Sequence, residues 1–309
     1  MPTEKLRDLS KQADKVEVLV VGTSRMLHGF DPAIFAAETQ SAGHGLSAYN
    51  LSLQRLLLWE QERIIADALA IPGLKPRLIL LEPAVGLGIA PENFTHARTL
   101  EYETPAAWVT AVRVIQSSDR PWWHRAWNIT SHTVVLALHA VNYGAGNALA
   151  FPPLTDDSKS PGWATDRGFI PLAPRTLSAA DEAQLALWCD QHRRDYEHAP
   201  VDREPLPAAM RDHFIALRTR LEATGARVVF VQPPQLGFTT DELRRLSRRF
   251  EPSVGPIAPV LSFLDPARHP HLFAPRLWSD YNHLNAEGAA AFTRDLAQAL
   301  RPDLAELTR

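Results

Sequence analysis

Cysteine is almost missing from this 309-residue chain. Its one cysteine, Cys189, excludes an internal disulfide and a cysteine metal site. It lies in a helical pattern and reads as a packed or half-exposed thiol. An excess of charge is also missing: 32 Lys and Arg face 35 Asp and Glu, a net charge of −3. That leaves no electrostatic footprint for nucleic acid and no polybasic membrane surface. No apolar run reaches the length of a membrane span, the nearest being Thr133 to Ala140. The first fifteen residues, MPTEKLRDLSKQADK, lack the apolar core of a signal peptide. As written the chain reads as cytoplasmic, and as extracytoplasmic if a longer chain was trimmed here. Repeats and low-complexity linkers are absent. Gly144-Ala145-Gly146 follows no strand and is not a dinucleotide loop. His269 and His271 have no third ligand at metal spacing, so they read as a solvated loop. No metal or organic cofactor is expected.

What is present is ordinary for a globular protein: 45% apolar and 22% charged residues. A chain of this length can bury a large core without staples. Val16 to Val21, Arg77 to Leu81 and Arg227 to Val231 are short β-branched and leucine runs, apolar on both faces, as buried parallel strands require. Ser47 to Leu53 and Val260 to Leu264 are weaker strand candidates. Helical patterns separate them. Asp31-Pro32 opens one helix to about Ala42, and Leu56 to Ile71 forms a second. Later helices are expected at Pro105–Gln116, Ser131–Asn142, Ser178–Glu197, Pro207–Ala223, Thr240–Phe250 and Asn285–Leu300. Thr240 and Asp241 offer cap chemistry to one of these, and Asn285 to the last. The alternation predicts a doubly wound, flavodoxin-like α/β/α domain over residues 1–309. Its parallel five-stranded sheet has the order 2-1-3-4-5, with a helical and loop insertion after strand three at about 86–175.

Strand one delivers Gly22-Thr23-Ser24-Arg25 to its carboxyl end, where open α/β sheets bind ligands. Gly22 allows close backbone approach. Ser24 can supply a nucleophile and, through its N–H, an oxyanion donor; it can also be a simple cap or part of an anion-binding loop. Asp280-Tyr281-Asn282-His283 precedes the last helix. Its carboxylate can hold one imidazole nitrogen while the other takes a serine proton, or His283 can merely cap the helix.

Together, Gly-x-Ser after strand one and Asp-x-x-His before the final helix resemble the end blocks of the SGNH (GDSL-like) hydrolase superfamily. Gly22-Thr23-Ser24-Arg25, Gly29-Phe30-Asp31-Pro32 and Tyr49-Asn50-Leu51-Ser52-Leu53 are closer to one subgroup. It includes the D-alanine transfer protein of teichoic acid synthesis and the SGNH-like proteins of polysaccharide O-acetylation. The resemblance implies Ser24 as nucleophile, with Asp280 and His283 completing a triad. Its substrate would be a small-molecule or carbohydrate acyl ester, with a functional link to a membrane acyltransferase. The family's oxyanion Asn after strand three is replaced by Glu82. A carboxylate there repels an oxyanion unless it is protonated or paired. Arg25 is its expected partner, or else a binder of substrate anions. Asn50 is then the candidate oxyanion donor, or a turn-closing residue, and Gln232 at the tip of strand four is a candidate substrate contact. Trp122, Trp123 and Trp127 read as a sugar-stacking platform or as the apolar face of the insertion. The expected function is a serine esterase or acyltransferase. The alternative is a catalytically degenerate relative that binds an acylated or glycan partner.

Overall fold

Five short runs, each apolar on both faces, become strands: β1 Val18–Val21, β2 Ala48–Asn50, β3 Leu78–Leu81, β4 Arg227–Gln232 and β5 Val260–Ser262. They form one all-parallel sheet in the order β2-β1-β3-β4-β5, as the apolar runs predict. The computed structural model describes residues 2–89, 91–141, 167–173, 178–198, 205–237 and 241–307. Twelve α-helices lie among them. They are α1 Pro2–Ser10, α2 Ser24–Gly29, α3 Pro32–Ser41, α4 Leu58–Leu69, α5 Ala97–Tyr102, α6 Pro105–Gln116, α7 Trp122–Ala140, α8 Ala179–His198, α9 Ala208–Glu222, α10 Asp241–Val254, α11 Ala286–Ala299 and α12 Arg301–Leu307.

Alternation along each strand builds two cores, one on each face of the sheet. Leu19, Val21, Ile79, Leu81, Val228 and Phe230 point toward α1, α4, α6, α9 and α10. Val18, Val20, Leu78, Leu80, Val229 and Val231 point toward α3, α8, α11 and α12. The result is a three-layer α/β/α fold. Of the insertion, the described part carries α5, α6 and α7, which pack on one another and on α4.

Periodicity missed four helices, among them the seven-residue α12 at the end of the described residues. α1 is short and polar, and α2 and α5 have six residues each. It also began α7 too late: Pro121 is the N-cap, so Trp122–Trp127 form the helix's first turns and do not lie between helices. Asp31 caps α3 as read, accepting from the N–H of Ala33 (2.8 Å) and Ile34 (3.2 Å). Thr240 and Gly144–Gly146 lie outside the described residues.

α1 is anchored by Lys5, fully buried at the tip of β2. Its ammonium donates to the carbonyls of Asn50 (2.9 Å), Ser52 (2.8 Å) and Gly168 (2.7 Å). Burial pushes its pKa well below the ordinary lysine value, and Asp8 opposes this. Gly168 has φ +84°, and a Cβ there would lie 2.1 Å from the Asn50 carbonyl oxygen. Only glycine lets this segment cross the strand tip. The chain order reverses between β1 and β3, since β1 leads outward to β2 and the chain returns across it. The crevice at the carboxyl ends of β1 and β3 is therefore the topological switch point.

Candidate active site

Ser24 stands at this switch point, three residues beyond the end of β1 and in the first turn of α2. Thr23 is the N-cap, its hydroxyl accepting from the Arg25 N–H at 3.4 Å. Across the crevice Glu82 immediately follows β3 and is only 1% exposed. Its carboxylate accepts from the Thr23 N–H (2.6 Å), the Thr23 hydroxyl (2.9 Å) and Arg25 Nε (2.8 Å), with Arg25 Nη2 at 2.6 Å. Glu82 is thus paired, and it clamps the turn that carries Ser24. A Cβ at Gly22 would lie 2.6 Å from the Glu82 carboxylate and 2.7 Å from Met26 Cγ, so glycine is needed for the clamp to close.

The other half of the site is a tight loop before α11. Trp278 and Leu284 form an isolated antiparallel bridge, and the Ser279 N–H donates to the His283 carbonyl at 2.9 Å. Trp278 is buried and anchors the loop by donating from Nε1 to the Leu272 carbonyl at 3.0 Å. Asp280 Oδ1 accepts from the N–H of Asn282 (2.7 Å) and of His283 (2.8 Å). The same carboxylate faces His283 Nδ1 at 2.9 and 3.1 Å. An ionised carboxylate only accepts, so Nδ1 carries a proton, and in the neutral form of the ring Nε2 is the nitrogen that accepts. That nitrogen lies 2.8 Å from Ser24 Oγ. Ser24 and His283, 259 residues apart in the chain, thus join Asp280 in one hydrogen-bonded series. Burial works against the Asp280 charge, but the bonds from the His283 ring and the two backbone N–H groups hold its carboxyl below the ordinary value. The site remains reachable: the His283 side chain is 23% exposed and that of Asp280 41%.

Sequence reasoning missed four groups around this series. His28, on α2, packs edge-on against His283, their ring centroids 5.3 Å apart. Its Nδ1–H donates to the Ile170 carbonyl at 2.8 Å, and burial lowers its pKa, against that bond and with help from His283. Gln235, beyond β4, accepts from Arg25 Nη1. Tyr281 of the Asp280 loop meets Trp188 of α8 edge-to-face at 5.6 Å. Gln235 and Trp188 have no local signature, because they come from other elements, whereas His28 stands four residues after Ser24 on α2, a spacing that only the unrecognised helix makes meaningful. Only Tyr281 lies inside a motif.

Two expected contacts are corrected. Asn50 is fully buried, and its amide donates to the Met26 (2.8 Å) and Phe30 (2.9 Å) carbonyls while its Oδ1 accepts from the Ser52 N–H at 3.1 Å. Both N–H bonds are spent, so Asn50 braces the end of α2 and has none left for an oxyanion. Gln232 donates to the Ser247 carbonyl at 2.7 Å and lines a separate cavity of about 240 Å³ with Arg248, Ser262 and Asp265. It faces α10, not Ser24, because β4 alternation turns it to the sheet face of Val228 and Phe230.

The bland residues are also placed. His271 pairs with Asp295 at 2.6 Å. Among the described residues no group of three or more His, Cys, Asp or Glu side chains is arranged to hold a metal ion. Cys189, on the inner face of α8, is buried in the core, and burial pushes its thiol up to about 11. Trp122, Trp123 and Trp127 are 70%, 55% and 55% exposed, so they do not form the packed face of the insertion. No family model and no curated protein matches this chain.

Proposed function

We propose that the protein is a serine esterase or acyltransferase, with Ser24, His283 and Asp280 as its catalytic triad. The observation that carries this reading is the unbroken series from Ser24 Oγ through both nitrogens of His283 to Asp280, at 2.8 and 2.9 Å. A free serine hydroxyl is a weak nucleophile, and this is the arrangement that activates one. Ser24 Oγ attacks the acyl carbonyl as its proton passes to His283 Nε2. The imidazolium, steadied by Asp280, returns that proton to the departing alcohol, leaving an acyl group on Ser24. Water or a second alcohol then repeats the sequence in reverse. The Ser24 N–H, in a first helical turn that leaves such donors without an intrahelical partner, stabilises the oxyanion. Glu82 does not oppose this charge, because its own is matched by Arg25 and the Thr23 donors. Tyr281, 39% exposed beside the triad, offers an aromatic edge to a carbohydrate or acyl group.

The test is labelling with a fluorophosphonate, read by intact mass, on wild type, Ser24→Ala and His283→Ala. We expect one adduct on the wild type and none on either variant. Absence of an adduct on folded wild type overturns the enzyme reading. It favours a protein that binds an acylated or glycan partner, a reading supported by the commitment of Asn50 and by Glu82 in place of an amide donor.

A further inference from the structure

His28 sits inside the site but has no step in the reaction proposed above. It lies in the last turn of α2, four residues after Ser24, and residues at that spacing share one helix face. One short helix thus presents the serine and, beside it, a ring that is only 5% exposed. That ring stands at 85° to the ring of His283. Its Nδ1–H is committed to the Ile170 carbonyl, which only accepts. The charged and titratable groups facing it are His283 and Asp280 of the loop before α11 and Lys5 of α1. Burial, with His283 and Lys5, favours the neutral ring, while the Ile170 bond and Asp280 oppose this. A neutral neighbour lets His283 become an imidazolium, whereas a second cation there would resist it.

What holds His28 also joins the two halves of the site. The Ile170 carbonyl belongs to residues 167–172, a segment stitched to its neighbours along its length. The Asn50 N–H donates to the Arg167 carbonyl at 2.9 Å, and the Lys5 ammonium to the Gly168 carbonyl at 2.7 Å. The Ile170 N–H donates to the Leu27 carbonyl at 3.4 Å, and the Ala286 N–H to the Leu172 carbonyl at 3.0 Å. The segment thus runs from the tip of β2, past α2, to the first residue of α11. Ser24 opens α2, and His283 lies just before α11. Two hydrogen bonds orient the His283 ring, one at Nδ1 to Asp280 and one at Nε2 to Ser24. The second is lost as a proton source once Ser24 is acylated, because an ester oxygen carries no hydrogen. The ring must nevertheless stay aimed, since it next takes a proton from water or an alcohol at the same place. The His28 ring, braced by the segment, is the lateral stop that remains.

We propose that His28 is a positioning residue, which holds the plane of the His283 ring so that Nε2 stays aimed at the reacting atoms. This rests on the triad reading above. The test compares wild type, His28→Ala and His28→Phe as full chains, at a temperature where all three are folded by circular dichroism. Both variants lose the Ile170 bond, but only phenylalanine keeps a ring against His283. On an aryl acetate, His28→Ala should lower kcat by roughly tenfold or more with KM little changed, the mark of lost orientation and not of lost binding. His28→Phe should recover most of that loss. The low-field proton resonance of the His283–Asp280 bond should be sharp in wild type and His28→Phe, and broadened or lost in His28→Ala. Fluorophosphonate labelling and kcat that are unchanged in His28→Ala overturn the inference and leave the triad reading in place. Equal losses in both variants that follow their melting temperatures also overturn it, since His28 then serves only the fold. Absence of labelling on folded wild type overturns the triad reading itself, and this inference with it.

Discussion

Asn50 shows how residue chemistry and residue position part company. An amide at a strand tip beside the Ser24 turn is what the proposed oxyanion hole needs, yet its two N–H bonds go to Met26 and Phe30. Asn50→Ala should therefore cost about 2 kcal/mol of stability, since two buried carbonyls lose their partner. Its kcat on an aryl acetate, measured on folded protein, should stay within about tenfold of wild type, short of the roughly 10²–10³ lost when an oxyanion donor is deleted. A loss of that larger size at unchanged stability would return Asn50 to the catalytic machinery. Glu82 is the opposite case. It looks wrong for catalysis and is right for structure, being the acceptor for both donors of Thr23 and for Arg25. Glu82→Gln leaves the Arg25 charge uncompensated and faces the Thr23 N–H or hydroxyl with another donor. We expect a loss of about 3 kcal/mol in urea unfolding, in the range for breaking a buried pair from one side. Fluorophosphonate labelling should slow as well, because the Ser24 turn loosens.

At the scale of elements, the site depends on helices too short or too polar for periodicity to detect. α2 has six residues, and it exists because Thr23 caps it and Asn50 holds the carbonyls at its far end. α1 has no long apolar stripe; beyond Leu9 and Leu6, which pack on the core, its polar hold on the fold centres on one lysine. Lys5→Met replaces three hydrogen bonds with none and buries three orphaned carbonyls. The expected cost is at least about 3 kcal/mol, seen as a lower melting temperature. An unchanged melting temperature would mean that α1 contributes little to the stability of the β2 edge. The long elements were legible because their signals are local. The β-branched runs predict β1 and β4, and Asp31-Pro32 predicts the start of α3. Pro121 should have been read as the start of α7, since proline is favoured at helix beginnings.

For the whole molecule, buried histidines set the response to acid. Burial lowers the pKa of His28, His192 and His213 from the ordinary value of 6.5. The backbone bonds of His28 and His192 and the Glu62 carboxylate near His213 oppose this without reversing it. Each ring takes up a proton more readily in the unfolded chain, so the unfolded state binds more protons between the folded and unfolded pKa values. Stability then rises with pH through that window and falls as pH drops below about 6.5. Thermal melts from about pH 7.5 to about pH 5.5 should show a steady decline. His28→Gln should reduce its slope, and a flat profile would show that these rings are not titrating out of the folded state.

Local pattern in the sequence was enough to determine the class of fold, the parallel order of its strands and the two short motifs at its ends. Those features arise from neighbours along the chain: side-chain alternation, cap residues and the turn chemistry of Gly22 and Asp280. The sequence could also propose that Arg25 meets Glu82, because both follow adjacent strands. Tertiary structure alone decided which polar groups are free. Asn50 and Glu82 have ordinary side chains whose roles depend on partners 20 to 59 residues away. Trp188 and Gln235 reach the site only because α8 and the segment after β4 pack beside it. A buried polar atom must find a partner wherever the fold supplies one, and that constraint acts through space, leaving no spacing in the chain to read.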